Sequence, residues 1–313
     1  MQKERTLKFW DDYHESNGEK EWIVLPTPDL FELIYSNCIL PENGDRLRVL
    51  EIGCGTSSMA KDFWQYLQRT KDGSSFYVRS TDVSSVCVDV CFTRDKNIQN
   101  VFGPGATING CDGLEYAILN VMEAPSDPDR GAWDAILDKA CLDTFLFRSR
   151  QRGESKAYSN VIQTALDNIW TLMAEKGVYM LLSPRTKLKA VRDYAGFSSV
   201  ERCAVYSEAR GSVISKANKP TQKKEAGETC YIYICRKNPD YVVGVTKPFK
   251  ESFRELPGDE AQCPHCGLHF GEFRNGEDLE GRGVLFWTRE WKNHCIHCKA
   301  PHAPKYSHSA PKT

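Results

Sequence analysis

Val49-Leu50-Glu51-Ile52-Gly53-Cys54-Gly55-Thr56-Ser57 is the stretch whose reading decides the fold. The apolar run from Leu47 to Ile52 reads as a buried strand, and it stops at an acid and two glycines. Ser57 and Ser58 then offer caps to a helix whose apolar residues Met59, Phe63 and Leu67 recur every four positions. Strand, glycine turn and helix form the layout of a nucleotide site in an open α/β sheet. Two glycines let the backbone take positive φ and approach a ligand closely.

Charge selects the ligand. A dinucleotide fingerprint wants Gly or Ala in its third place, and position 58 is Ser. Glu51 carries more information. A pyrophosphate is anionic, so a carboxylate beside it costs energy. S-adenosylmethionine carries a sulfonium and an α-amino group, which the same carboxylate attracts. Glu51, Gly53, Cys54 and Gly55 therefore read as a methyl-donor site. The alternative is a glycine turn in another kind of α/β protein.

The totals bound the rest. The 313 residues suit one large domain with an appendage, or two domains. With 41% hydrophobic residues a core of ordinary size is expected. A net charge of −1 implies no global nucleic-acid field. No apolar run reaches the ~18 residues of a membrane span, so no membrane partner is expected. The start, Met1-Gln2-Lys3-Glu4-Arg5, is charged and includes an acid, which argues against a signal or transit peptide. Of 13 cysteines, four form two close pairs and the others are scattered, which suggests a reducing compartment. The cytoplasm is the expected location, with the nucleus as the alternative.

Along the chain, Pro28 to Ile39 reads as a helix. Phe76 to Thr81 reads as a second strand ending at Asp82, an acid placed to accept both hydroxyls of an adenosine ribose. The same acid could cap the next helix, whose buried face is expected at Val86, Val90 and Cys91. Leu114 to Met122 is read as a third strand, and Trp133 to Leu137 as a fourth that ends at Asp138. Tyr158 to Lys176 has a helical stripe, with Gly177 as its C′ residue. Val178 to Leu182 is the fifth strand. Leu188 to Tyr194 is read as a helix. Val200 to Tyr206 and Cys230 to Cys235 are expected to close the sheet as an antiparallel pair. Between them, residues 211–228 are polar and lysine-rich, and read as a flexible insertion.

The order of elements, with Glu51–Gly55, Asp82 and Asp138 at successive strand ends, resembles the class I, seven-strand S-adenosylmethionine-dependent methyltransferases. A narrower resemblance rests on Trp133-Asp134-Ala135-Ile136-Leu137-Asp138-Lys139-Ala140-Cys141-Leu142-Asp143. It is similar to the family's aromatic-Asp-x-Ile followed by Asp-Lys-Gly-Thr-Leu-Asp. Phe9-Trp10-Asp11-Asp12-Tyr13 and Glu21-Trp22 resemble that group's leading Trp-Asp-x-x-Tyr and Glu-Trp. The group includes lysine methyltransferases of elongation factor 1-alpha and of citrate synthase. This sequence departs from it at Ala140-Cys141, where the signature has Gly-Thr, and at Thr56-Ser57, where Asn-Ser is usual.

The resemblance implies an α/β fold, a Rossmann-like seven-stranded methyltransferase sheet, over residues 1–240. It implies protein-lysine N-methylation, with a protein substrate such as a translation factor. Asp138 joins the donor site and Asn120 falls where an Asp often meets the adenine edge; Trp10, with its neighbouring aromatics, either closes over the ligand or packs as a cap on the core. Asp138 and Asp143 are assigned, as catalytic groups, to guiding the incoming lysine and accepting its proton through water. Two other readings stay open: a small-molecule or RNA methyltransferase, and a catalytically silent methyltransferase-fold scaffold.

The C-terminal part lies outside the resemblance. Cys263-Pro264-His265-Cys266 and Cys295-Ile296-His297-Cys298 are two C-x-x-C knuckles. Such pairs read as a structural zinc site, in which Cys263, Cys266, Cys295 and Cys298 would close a tetrahedral shell. The zinc-ribbon-like module is expected over 255–302, followed by a disordered tail over 303–313. The module is expected to bind the protein substrate or nucleic acid, or to brace the rest of the chain.

Overall fold

The computed structural model describes residues 2–17, 26–40, 46–71, 75–104, 113–148, 155–185, 187–208, 211–215 and 228–245. The chain divides into two compact units, 1–255 and 256–313. The zinc knuckles, Trp22 and the tail lie outside the described residues.

The helices are α1 (Gln2–Asn17), α2 (Pro28–Asn37), α3 (Met59–Thr70), α4 (Ser85–Asp95), α5 (Cys141–Arg148), α6 (Ser155–Leu172) and α7 (Lys189–Asp193). The strands are β1 (Leu47–Ile52), β2 (Phe76–Asp82), β3 (Val101–Phe102), β4 (Gly113–Ile118), β5 (Trp133–Lys139), β6 (Met173–Ser183), β7 (Phe197–Glu208), β8 (Gly211–Ser215) and β9 (Glu228–Lys237). They form one sheet in the order β3-β4-β2-β1-β5-β6-β9-β7-β8. The pairings from β3 to β6 are parallel; β9 runs antiparallel to β6 and to β7.

The central seven strands form the expected Rossmann-like sheet, closed by an antiparallel pair. Two strands are added at its edges. β3 pairs with β4, and β8 turns back on β7. The insertion expected over 211–228 therefore opens with a strand, because Gly211–Ser215 pairs in register with Ala204–Glu208.

β1 is buried on both faces, as a central parallel strand must be. Val49 packs with Phe63 and Leu67 of α3 and Ile34 of α2 on one side. Leu50 and Ile52 pack with Ile136, Leu166 and Ile169 on the other. Met59, Phe63 and Leu67, the stripe legible in the sequence, are all buried. The start of α3 is capped by Ser57 Oγ, which accepts Met59 N–H at 3.0 Å.

One boundary moves. α6 stops at Leu172 and β6 begins at Met173, four residues before the glycine expected to end the helix. Met173 pairs with Trp133 at the foot of β5. Sheet pairing thus overrides the helical pattern over 173–176. Gly177 is a close-approach residue within the strand, where a Cβ would lie 3.0 Å from Trp133 O.

Candidate functional site

The site is built where β1, β2, β4 and β5 end. Gly53 (φ +61°) and Gly55 (φ +55°) turn the chain after β1 in a conformation that costs other residues energy. Asp82, at the tip of β2, holds this turn from the side. Its Oδ2 accepts Gly55 N–H at 3.0 Å, and its Oδ1 accepts Ser84 N–H at 2.9 Å. Each oxygen keeps a lone pair for a further donor. Burial pushes the Asp82 carboxyl up, against the pull of these two amides. The cap of α4 is Ser84, which accepts Cys87 N–H, so Asp82 braces the loop instead of capping the helix directly.

Glu51 is buried one residue before the end of β1. Its register partner Ser80 donates to Oε2 at 2.7 Å, and Thr81 Oγ1 donates to its backbone carbonyl at 2.7 Å. Lys139, at the end of β5, lines the same gap as Glu51 and donates to Ser57 Oγ at 2.6 Å. That link from β5 to the start of α3 was not legible in the sequence, since its two residues lie 82 positions apart.

Asp138 and Asp143 do not stand open as the expected acid–base pair. Asp138 is 1% exposed and accepts Cys141 N–H at 2.7 Å, Leu142 N–H at 3.1 Å and the Tyr179 hydroxyl at 2.8 Å. It caps α5. Burial pushes its carboxyl up to about 7 against the Tyr179 hydrogen bond; the nearby Asp143 adds to the rise, and the two amides oppose it. Asp143 is 2% exposed and pairs with Arg185, whose Nε donates to Oδ1 at 2.8 Å. Arg185 follows the Ser183-Pro184 stop of β6, and Tyr233 on β9 fixes it by donating to its carbonyl at 2.7 Å. Both carboxylates are engaged inside the fold, Asp138 in capping α5 and Asp143 in the pair with Arg185.

Ala140 has φ +66°. This is the position where the resembled signature has glycine, and the backbone still takes the glycine conformation. The next residue, Cys141, covers Gly53. Asn120, after β4, is half-buried. Its Oδ1 accepts Met122 N–H at 3.1 Å and its Nδ2 donates to Glu123 at 3.0 Å, so it shapes its own turn beside the strand ends.

α1 lies against α4. Ser84 Oγ donates to Asp11 at 2.5 Å. Trp10 is half-buried and stacks on His14, with centroids 6.0 Å apart. A ring nitrogen of His14 comes within 4.8 Å of Asp82. Burial lowers the His14 pKa, while Asp82 pulls it back up. His14 was missed in the sequence, although it stands one turn beyond Trp10.

The buried face of α4 is Cys87, Val88 and Cys91, not Val86 and Val90. Cys87 and Cys91 reach toward the glycine turn, where both sulfurs donate to Gly55 O and meet Cys54. Hydrogen bonds from Cys54 and Cys87 pull the Cys91 thiol below its ordinary value, and hydrogen bonding to its two neighbours raises the Cys54 thiol.

No family model and no curated protein matches this sequence. Among solved structures, the citrinin polyketide synthase CMeT domain is 14% identical, with 63% of this chain on 48% of that chain and a TM-score of 0.39. A protein acting in the conversion of a disulfide bond into a thioacetal group during echinomycin biosynthesis is 12% identical, with 75% on 93% and a TM-score of 0.47. A SAM-dependent O-methyltransferase from Thermotoga maritima is 12% identical, with 72% on 70% and a TM-score of 0.40. The chain spans about half the length of the first of these. With TM-scores below 0.5, none of these likenesses extends to activity. No helix among the described residues is long and apolar enough to cross a membrane.

Proposed function

We propose that this chain is an S-adenosylmethionine-dependent methyltransferase whose acceptor is the amine of a protein lysine. The observation that carries the donor reading is Glu51. Its carboxylate is buried beside the turn of two positive-φ glycines at the end of the central strand. A carboxylate there disfavours a pyrophosphate, with Lys139 in the same gap offsetting part of its charge. Asp82, next to that turn, keeps lone pairs for ribose hydroxyls. Trp10 and α1 supply a wall beside Asp82, and Asn120 offers polar atoms for the adenine edge.

The donor supplies a methyl group already activated by its sulfonium, so the protein's part is to hold and orient. A lysine nucleophile must be neutral, against a free pKa of about 10.4, and a low-dielectric channel favours that form. With Asp138 and Asp143 engaged inside the fold, they act as supports of the β5–α5 corner, and the acceptor's proton leaves to water. Lysine as the acceptor is supported by the sequence resemblance over Trp133–Asp143 and Phe9–Tyr13. A cytoplasmic protein substrate, such as a translation factor, follows from the same resemblance. We place a structural Zn2+ on Cys263, Cys266, Cys295 and Cys298.

Cell extract with radiolabelled S-adenosylmethionine tests the proposal, comparing the wild type with Asp82→Ala. A labelled protein band that needs Asp82 and maps to lysine is expected. Label that disappears with ribonuclease, or that migrates as a small molecule, keeps the donor site and overturns the lysine acceptor. Donor binding with no transfer in any extract would leave a scaffold.

A further inference from the structure

The described residues contain a buried sulfur cluster of which the methyl-donor reading uses only Cys54, through its place in the glycine turn. Cys54 stands between the two positive-φ glycines. Cys87 and Cys91 stand at i and i+4 on α4, a spacing that puts both on one helix face. All three are at most 2% exposed. Their sulfurs lie within 4.8 Å of one another. A ring nitrogen of His14, an oxygen of Asp82 and the sulfur of Cys87 form a second set within the same limit, so Cys87 joins the two sets.

We propose that Cys54, Cys87 and Cys91 form a thiolate site for one soft d10 cation, either Zn2+ or Cu+. Zinc–sulfur bonds of about 2.3 Å place tetrahedral sulfurs about 3.8 Å apart, so at most a small contraction closes the shell. Binding replaces S–H bonds with S–metal bonds and releases the thiol protons to solvent, with no change of oxidation state. Cu+ is satisfied by three sulfurs. Zn2+ takes a fourth ligand, and His14 is the side chain placed to give it through the Cys87 side of the cluster. Either ion would tie the glycine turn to α4.

Metal content of the full-length chain tests this. Protein is stripped with a chelator under reducing conditions, reloaded with Zn2+ in one arm and with Cu+ anaerobically in the other, then desalted. The wild type is expected to retain one equivalent more than Cys87→Ser/Cys91→Ser in at least one arm. The same excess should persist when Cys263, Cys266, Cys295 and Cys298 are all changed to Ser, which separates it from the C-terminal knuckles. Loss of the Zn2+ equivalent in His14→Ala assigns zinc; excess metal in the Cu+ arm alone assigns copper. Equal metal content of wild type and double variant in both arms, with both folded by circular dichroism, overturns the proposal. Should the double variant not fold, the four-Ser protein decides alone. Co2+ must then give a sulfur-to-metal absorption band, or Cu+ must be retained, and failure of both overturns the site.

Discussion

Cys141 packs so closely over Gly53 that a Cβ built on the glycine would lie 2.6 Å from both the Cβ and the Sγ of the cysteine. This contact joins the turn after β1 to the start of α5. It explains why residue 53 has no side chain: the space is filled and φ is +61°. Gly53→Ala should lose about 1–2 kcal/mol from the left-handed backbone alone, and more from the overlap. A urea midpoint unchanged from wild type would contradict the close approach. Cys141→Ala removes the Sγ but keeps the Cβ in contact, so it should recover only the sulfur's share of the overlap, with the Cβ overlap and the φ strain remaining.

Ala140 stands in the same conformational region without being glycine. Ala140→Gly should therefore raise stability by up to about 1 kcal/mol, with the entropy of glycine in the unfolded chain offsetting part of the relief. Thermal unfolding of the two proteins side by side checks the sign. A lower midpoint for the glycine variant would show that the positive φ carries no strain here.

Asp138 links stability to pH. Its folded pKa is raised to about 7 from an ordinary 3.8. As pH climbs through 3.8 the unfolded chain releases this proton first, and the folded chain keeps it until about 7. The contribution is therefore fully present below the ordinary value and lost as pH rises to neutrality, by about 1.4 kcal/mol per pH unit at the steepest. The stability of the wild type relative to Asp138→Asn should fall between pH 4 and 7 and level off above. A flat difference across that range would rule out the raised carboxyl.

The Asp143–Arg185 pair is enclosed on both sides, at 3% and 9% side-chain exposure. Removing one partner leaves a buried charge. Asp143→Ala and Arg185→Leu should each cost about 3–5 kcal/mol, with the double variant costing clearly less than their sum. Additive losses in a double-mutant cycle by urea unfolding would mean that the two groups do not depend on each other.

The local features of the candidate site were legible in the sequence. Gly53 and Gly55 could be expected to turn, Met59, Phe63 and Leu67 to bury, and Asp82 and Asp138 to fall at strand ends, because each follows from neighbours a few positions away. The lapse at Met173 has a local cause as well: residues 173–176 continue a helical pattern, and only pairing with Trp133 on β5 turns them into strand.

The sequence by itself determined the α/β class, the strand–turn–helix at Glu51–Met59 and the closing antiparallel pair, since period and turn chemistry are short-range properties. Tertiary structure alone decided what the buried polar groups do. Asp138 meets Tyr179 across 41 residues, Asp143 meets Arg185 across 42, and Lys139 meets Ser57 across 82. Cys54, Cys87 and Cys91 read as scattered thiols in the chain and converge only when β1 and β2 pair in parallel and α4 folds back over the turn. Hydrogen bonds and sulfur–sulfur approaches act over a few ångströms, and which groups come that close is set by the register of the sheet, not by their distance along the chain.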